Sequence, residues 1–306
     1  MKQIQLETSP LMVPQVVVGC MRMADRTTAQ IEKLVRTAME HGANYFDHAD
    51  IYGGGACESL FSKGLGLTPA LREKMVLQSK CGICPGVMYD FSKEHILSSV
   101  DGILKRLNTE YLDVLLLHRP DMLMEPEEVA EAFDRLEASG KVRYFGVSNQ
   151  NPMQIQLLEK YLNQPLVANQ LQFGIAHAGL VTEGIHVNML DDGGISRTGS
   201  VLDFCRLHEI TIQAWSPFQY GFFEGVFLGN EKFPELNRKL EELAQKYQTT
   251  STAIAAAWIM RHPANIQIVT GTMDLTRLLS ICEASDLRLT REEWYQIYLA
   301  AGNTLP

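Results

Sequence analysis

The sequence is short of everything that would mark a membrane or secreted chain. Its strongest apolar run, "AIAAAWIM" (253–260), is less than half of the roughly 18–20 residues that span a bilayer. The opening "MKQIQLETSP" has no apolar h-region, so no secretory signal is expected and the expected location is the cytoplasm. Six cysteines scattered over 306 residues suggest a reducing compartment rather than a disulfide framework. "CGIC" (81–84) has the C-x-x-C form, but no second pair completes a zinc site, and the thiols read as small apolar filler. Positive charge is also scarce. With 27 Lys and Arg against 36 Asp and Glu the formal charge is -9, which argues against a general binder of nucleic acid or acidic membrane.

Two motifs are missing as well. An open doubly wound sheet usually announces a nucleotide site by G-x-G-x-x-G after its first strand. Here that position reads "GCMRMA", and "GGGACE" (53–58) lacks the last glycine. Barrel metallohydrolases place H-x-H on strand one, and "VVVGC" has none. His48, His118, His177 and His186 are therefore not read as metal ligands, and no metal is expected.

What is present is an ordinary globular composition, 46% hydrophobic and 21% charged, with ample material for a large core. Eight β-type runs recur: "QVVVGC" (15–20), "NYFD" (44–47), "MVLQSK" (75–80), "YLDVLLLH" (111–118), "VRYFGVSN" (142–149), "LVANQ" (166–170), "ITIQAW" (210–215) and "NIQIVTG" (265–271). Stretches with helical spacing lie between them, such as "TTAQIEKLVRTAMEHG" (27–42), with Thr28 as its expected cap and Gly42 as its stop. Nearly continuous apolar strands alternating with helices imply a parallel sheet covered on its outer face, and eight units are the count of an α/β, (β/α)8 TIM barrel. Residues 1–306 are read as one domain. Residues 174–199 form a long connection, and "MKQIQLETSPLMVPQ" is a candidate hairpin closing the barrel floor.

In such a barrel the active site sits at the C-terminal ends of the strands. Those ends carry Asp47, Lys80, His118, Ser148 with Asn149, Gln170 and Trp215. The stretch "YFDHADIYGGG" (45–55) adds Tyr52 just beyond the second strand. A tyrosine, with a reference pKa near ~10, is a poor proton donor at neutral pH, but a nearby ammonium stabilises its phenolate. A shift of two pKa units would amount to roughly 2.7 kcal/mol. Tyr52, Lys80 and Asp47 make such a trio, with His118 as a neutral donor to a polarised oxygen. The set would protonate an alkoxide as it forms, as carbonyl reduction requires. No side chain donates hydride, so a nicotinamide cofactor is implied.

The blocks "YFDHADIYG", "SKCG", "LLLHRPD", "GKVRYFGVSN", "NQLQF" and "AWSPF" resemble, in order and spacing, the signature blocks of the aldo-keto reductases, from about residue 15 to about 285. The forms "HADIYGG" and "HRPD" are most similar to a bacterial branch of general oxidoreductases. The resemblance implies a catalytic tetrad of Asp47, Tyr52, Lys80 and His118, with Tyr52 as the acid. It implies that Ser148, Asn149 and Gln170 hold the nicotinamide carboxamide and that Trp215 stacks on the ring. Ser216, Pro217 and Phe218 match the segment along the pyrophosphate, while Gly19, Met21 and Arg22 fall in the first loop of the site. His48 and Asp50 are assigned structural roles, and the glycines a turn with room for a ligand.

The segment "VTGTMDLTRLLSICEA" (269–284) aligns with the family's grip on the adenosine 2'-phosphate. Thr272 and Arg277 match its hydroxyl and arginine, but Gly271 stands where many members have lysine. Ser280 and Ile281 fall where a Glu-Asn pair contacts adenine, which they cannot reproduce. NADPH (NADP+) is expected over NADH because Arg277 can pair a phosphate. Met21, Phe173, Tyr220, Phe222, Phe223 and Phe227 are candidates to line a pocket for a small-molecule carbonyl substrate; the alternative is that they pack the loops. The leading expectation is an NADPH-dependent reductase of aldehydes or ketones. Its rivals are a nucleotide-binding regulatory subunit with very slow turnover and a metal-dependent barrel hydrolase. Oligomeric state is not legible.

Overall fold

Each of the eight apolar runs becomes a parallel strand, and the last pairs with the first. The computed structural model describes all of Met1–Pro306. In chain order the strands are β1 (Gln3–Gln5), β2 (Met12–Pro14), β3 (Val16–Gly19), β4 (Tyr45–Asp47), β5 (Val76–Cys81), β6 (Ile83–Cys84), β7 (Met88–Tyr89), β8 (Leu112–Leu117), β9 (Val142–Ser148), β10 (Leu166–Gln172), β11 (Thr211–Trp215), β12 (Gln219–Tyr220), β13 (Gly225–Val226) and β14 (Gln267–Thr270). The helices are α1 (Thr28–Glu40), α2 (Ala56–Leu65), α3 (Pro69–Arg72), α4 (Lys93–Leu107), α5 (Pro126–Ala138), α6 (Pro152–Glu159), α7 (Gly179–Ile185), α8 (Val201–Leu207), α9 (Pro234–Tyr247), α10 (Ser251–Met260), α11 (Leu275–Glu283) and α12 (Arg291–Ala300). The closed barrel runs β3-β4-β5-β8-β9-β10-β11-β14. This is the (β/α)8 architecture expected. No helix is long and apolar enough to cross a membrane; "AIAAAWIM" lies in α10 and is buried against its neighbours all round.

Local signals place the elements to within a residue or so. Helix α1 is capped by Thr27, not Thr28: Thr27 is extended, its Oγ1 accepts from Gln30 N at 3.3 Å, and Gln30 Oε1 accepts from Thr27 N at 3.0 Å. Gly42 ends the turn at φ +81, a conformation that suits glycine. The N-terminal segment is the expected hairpin, β1 pairing with β2 antiparallel. Ile4, Leu6 and Val13 from it pack against Val17, Tyr45, Val114 and Val167, which plugs the lower end of the barrel. The 174–199 connection is not a bare loop. It contains α7, and the Glu183 carboxylate accepts from the backbone N–H groups of Arg197, Thr198 and Ser200 at 3.2, 3.3 and 3.1 Å.

The period-2 alternation of a strand decides what reaches the interior. Along β5, Leu77 and Cys81 join the outer core under the helices, and Ser79 Oγ donates to Glu58 of α2 at 2.7 Å. Val76, Gln78 and Lys80 point the other way, into the barrel, in rising order from floor to mouth. The middle layer is polar. Gln267 donates to Pro14 O (2.8 Å), Gln213 to Gln267 Oε1 (3.0 Å), and Gln78 to Gln213 Oε1 (2.9 Å) and Asp47 Oδ1 (2.6 Å). Tyr45 Oη donates to Gln78 Oε1 at 2.8 Å. An orphaned buried amide costs about 1–3 kcal/mol, and these amides avoid that by serving one another. The belt supports the strand-end carboxylate from below.

Candidate active site

Asp47 closes β4 in register with Gly19 on one side and Gln78 on the other, so its carboxylate stands just above the glutamine belt. The chain then continues along β5, with His48 N donating to Gln78 O (2.8 Å) and Asp50 N to Lys80 O (3.1 Å). This extension carries Tyr52 over the barrel mouth. Gly53, Gly54 and Gly55 follow with φ of +58, +62 and +88, three successive left-handed residues that only glycine adopts without strain. None of them lines the cavity. Neighbours take the space beside two of them: a Cβ on Gly53 would lie 2.9 Å from Ala24 Cβ, and one on Gly55 2.9 Å from Arg106 Cδ, while Gly54 faces open space. The room expected for a ligand is room for the chain's own packing.

Lys80 is wholly buried, and all three of its ammonium protons are spent: on Asp47 Oδ2 (2.7 Å), His48 O (2.8 Å) and Tyr52 Oη (3.1 Å). Asp47 Oδ1 accepts from Gln78 Nε2 and, at 3.1 Å, from Gln170 Nε2. The Tyr52 hydroxyl receives the lysine and keeps its own proton free to donate. His118, at the end of β8, meets the Tyr52 ring edge-on with centroids 6.0 Å apart, and its Nδ1 is buried without a partner.

These groups open on a cavity of about 470 Å³ whose lining includes Asp47, Tyr52 and His118, but not Lys80, which lies behind them. Met21, Arg22, Ser148, Asn149, Gln170, Trp215, Ser216, Pro217, Phe218, Gly271, Thr272 and Arg277 all line it too, as the sequence blocks imply. Ser148 Oγ donates to Gln170 O (2.9 Å), Asn149 Nδ2 to Ser148 Oγ (2.7 Å) and Trp215 Nε1 to Asn149 Oδ1 (3.1 Å). Asn149 and Ser216 turn the chain at their strand ends with φ of +59 and +50. Two antiparallel flaps overhang the mouth: β6–β7, giving Ile83 and Tyr89, and β12–β13, bracketing Phe222 and Phe223.

The sequence profile of the Aldo/keto reductase family matches residues 15–300. The chain belongs to that family. It is accordingly a nicotinamide-nucleotide-dependent oxidoreductase. It is 37% identical to the Bacillus subtilis (strain 168) protein described as uncharacterized oxidoreductase YcsN, with 100% of both chains covered. It is 34% identical to oxidoreductase YdhF of Escherichia coli (strain K12), over 93% of this chain and 92% of that one. It is 32% identical to 6-dehydroglucose reductase of Agrobacterium fabrum (strain C58 / ATCC 33970), over 98% of each. Among solved structures, a thermostable aldo-keto reductase bound to the inhibitor epalrestat superposes with a TM-score of 0.78 at 24% identity, covering 98% of this chain and 100% of the other. An aldo/keto reductase from Klebsiella pneumoniae in complex with NADP and acetate gives 0.77 at 23%, covering 97% and 94%.

In this aldo/keto reductase the electrostatics differ from the expectation at one point. Burial pushes the Tyr52 phenol up; Lys80 pulls it down, but Asp47, which holds that ammonium, repels the phenolate, and the phenol ends above the usual tyrosine value. An exposed phenol beside an ammonium would be acidified; an enclosed one is not, because desolvation of the phenolate outweighs the pairing. Burial lowers Lys80, yet Asp47 and Tyr52 outweigh it and hold the ammonium above the usual lysine range. Burial, then Lys80 and Arg119, push His118 well below its ordinary value, so its imidazole is neutral at pH 7.

Several candidates sit elsewhere. Phe173 and Phe227 are fully buried in the outer core, and Tyr220, on the flap strand β12, packs on Phe233 instead of lining the cavity. Ser280 lies off the cavity, whereas Ile281 borders it. His186 bonds Asp191 and Thr304 O at 2.9 and 3.0 Å. His48 presents its ring to the Phe61 edge, centroids 4.7 Å apart, with neither nitrogen partnered. Missed from the sequence are Arg119, beside His118, and Thr252 of α10, both on the cavity wall. Arg119 had a signal, adjacency to a strand-end histidine; Thr252, on a helix far along the chain, had none.

Burial and Lys80 bring His48 down to about 3. Its folded value lies below the unfolded one, near ~6.5, so its neutral form favours folding above that pH and the benefit is lost as pH falls. Relative to His48→Leu, the wild type should lose about 2 kcal/mol of unfolding free energy between pH 7 and pH 5. Urea titrations at the two pH values measure it; parallel pH dependence in both proteins would contradict a neutral buried imidazole.

Proposed function

We propose that the protein reduces aldehyde and ketone carbonyls to alcohols with NADPH, Tyr52 acting as the proton donor. One observation carries the reading. The Tyr52 hydroxyl, at the cavity mouth, lies 3.1 Å from a lysine ammonium that is itself 2.7 Å from Asp47. The elevated Tyr52 value keeps the phenol protonated in the resting state. Once its proton moves to a nascent alkoxide, the phenolate faces an ammonium at 3.1 Å, an attraction on the order of 5 kcal/mol at an effective dielectric of about 20. That attraction exists only after transfer begins, so it lowers the barrier and not the ground state. Neutral His118 holds the carbonyl oxygen toward Tyr52. The sugar-carbonyl activity named for the Agrobacterium relative supports a polyol-bearing carbonyl as one substrate.

Chemistry of the lining supports a dinucleotide. Gln219 Oε1 and Thr270 Oγ1 belong to residues that line the cavity and are buried without partners, and Ser148, Asn149 and Gln170 form a polar shelf beside Trp215. NADPH bound there supplies the hydride. At the far end Arg277 and the Thr272 hydroxyl border the cavity, and Arg22 Nη1 donates to Gly271 O at 3.0 Å. Arg22 thus brings a cation to the place where the glycine lacks one. Two arginines favour a 2'-phosphate.

NADPH fluorescence titration followed by an aldehyde and ketone panel tests the reading; an enzyme that binds NADPH and oxidises it with no carbonyl compound would end it. Arg277→Ala should weaken NADPH about tenfold while leaving NADH nearly unchanged. An undiminished NADPH preference would remove Arg277 from the phosphate grip.

A further inference from the structure

Beyond the tetrad lies a second cavity, of about 390 Å³, between the end of β10, the start of α6 and the 174–199 connection. It shares Arg119, Asn149, Trp215 and Phe222 with the first, so these residues border both spaces. In a chain whose acids outnumber its bases 36 to 27, no Asp or Glu lines this second space, while Arg119, Arg197 and His177 do. Arg197 commits Nη1 to Asp192 O at 2.8 Å. Burial lowers His177, leaving it neutral at pH 7 and able to serve as a hydrogen-bonding group.

Arg119, unlike Arg197, makes no hydrogen bond or ion pair. Its guanidinium lies 5.6 Å from the Trp215 ring centroid and is paired with no carboxylate. A cation on the wall of two cavities, free of acids and backed by an aromatic ring, is a receptor for an anion; the flat guanidinium fork matches carboxylate or phosphate. It shares the wall of the first cavity with His118, so an anion held there belongs to the same ligand space as a carbonyl held by His118.

We infer that the second cavity is a substrate subsite, and that Arg119 selects carbonyl compounds bearing a distal carboxylate or phosphate. The inference rests on the reductase reading and names its substrate class. Arg119 is a specificity determinant in it; Arg197, His177 and the Asn151 and Gln154 side chains complete the polar wall.

The test compares kcat/KM for matched pairs: 5-oxopentanoate with pentanal, and glyceraldehyde 3-phosphate with glyceraldehyde. The anionic member should be favoured by about tenfold or more in at least one pair. Which pair responds identifies carboxylate or phosphate as the group preferred. In Arg119→Met the ratio should fall toward one, and Arg119→Lys should retain part of it. Taking the ratio cancels any loss common to both members, such as an altered His118. A wild-type ratio near one for both pairs, or a ratio that survives Arg119→Met, overturns the subsite. If no carbonyl compound is reduced, the reductase reading has failed, and binding decides separately. Calorimetric titration of the NADP+-loaded protein with glutarate and with glycerol 3-phosphate should then show affinity weakened at least tenfold by Arg119→Met; no binding, or equal binding, rejects the anion site as well.

Discussion

Tyr52→Phe should lower kcat for aldehyde reduction by about two to four orders of magnitude while NADPH binding stays within about twofold. The substitution keeps the ring that meets His118 edge-on and removes only the atom 3.1 Å from Lys80. The chemical step is therefore lost without a change in cavity shape. Stopped-flow single turnovers beside steady-state rates make the result decisive. A wild-type protein that transfers hydride once and then stalls would fit a regulatory, slowly cycling subunit; one that cycles freely and fails only as Tyr52→Phe fits an enzyme. Undiminished turnover in the variant would mean that the proton comes from elsewhere.

Lys80→Met is the second large effect, and it reaches stability as well as rate. Methionine nearly fills the lysine volume but leaves the Asp47 carboxylate buried with only the Gln78 and Gln170 amides as partners. Breaking a buried pair from one side typically costs about 3–5 kcal/mol. Because Lys80 is held above the usual lysine range, its contribution is complete below about pH 10 and is lost only as pH rises through the folded value. Urea unfolding at pH 7 should show the loss. Asp47→Asn combined with Lys80→Met should recover part of it, since no lone charge remains; strictly additive losses would mean the two are energetically independent. Reduction should fall alongside, as the phenolate would have no counter-charge.

Much of this was open to reading before any coordinates. Runs such as "VVVG" and "LDVLLL" are buried on both faces, so their β-branched and leucine content showed at once as strands. Tyr52, Lys80 and His118 stood out because they occur where apolar strands stop. The interior glutamines did not. Gln213 and Gln267 lie among apolar strand residues and Gln78 is one of three polar residues in a row, so none reads as part of a network, and what they bond is far away in the chain, up to 253 residues for Gln267 and Pro14. Thr27 against Thr28 is a one-residue matter of which threonine is extended, which composition does not reveal. The direction of the Tyr52 shift depends on enclosure, a property of the folded mouth, and the aromatic residues of the flaps could be sorted into lining and packing only by where β12 and β13 turn.

The belt of amides has a consequence for how this interior can drift. An apolar layer tolerates one exchange at a time, because leucine and valine make few directional demands. Here the amides are fixed in orientation: Gln267 donates to Pro14 O at the floor, Gln213 to Gln267, Gln78 and Gln213 to each other, and Gln78 to the Asp47 carboxylate at the mouth. Rotating one member by a half-turn sets oxygen against oxygen where it donated and N–H against N–H where it accepted. Positions 78, 213 and 267 therefore behave as one unit, and a lineage that replaces any of them should replace its partners too, carrying the orientation of the Asp47 carboxylate along.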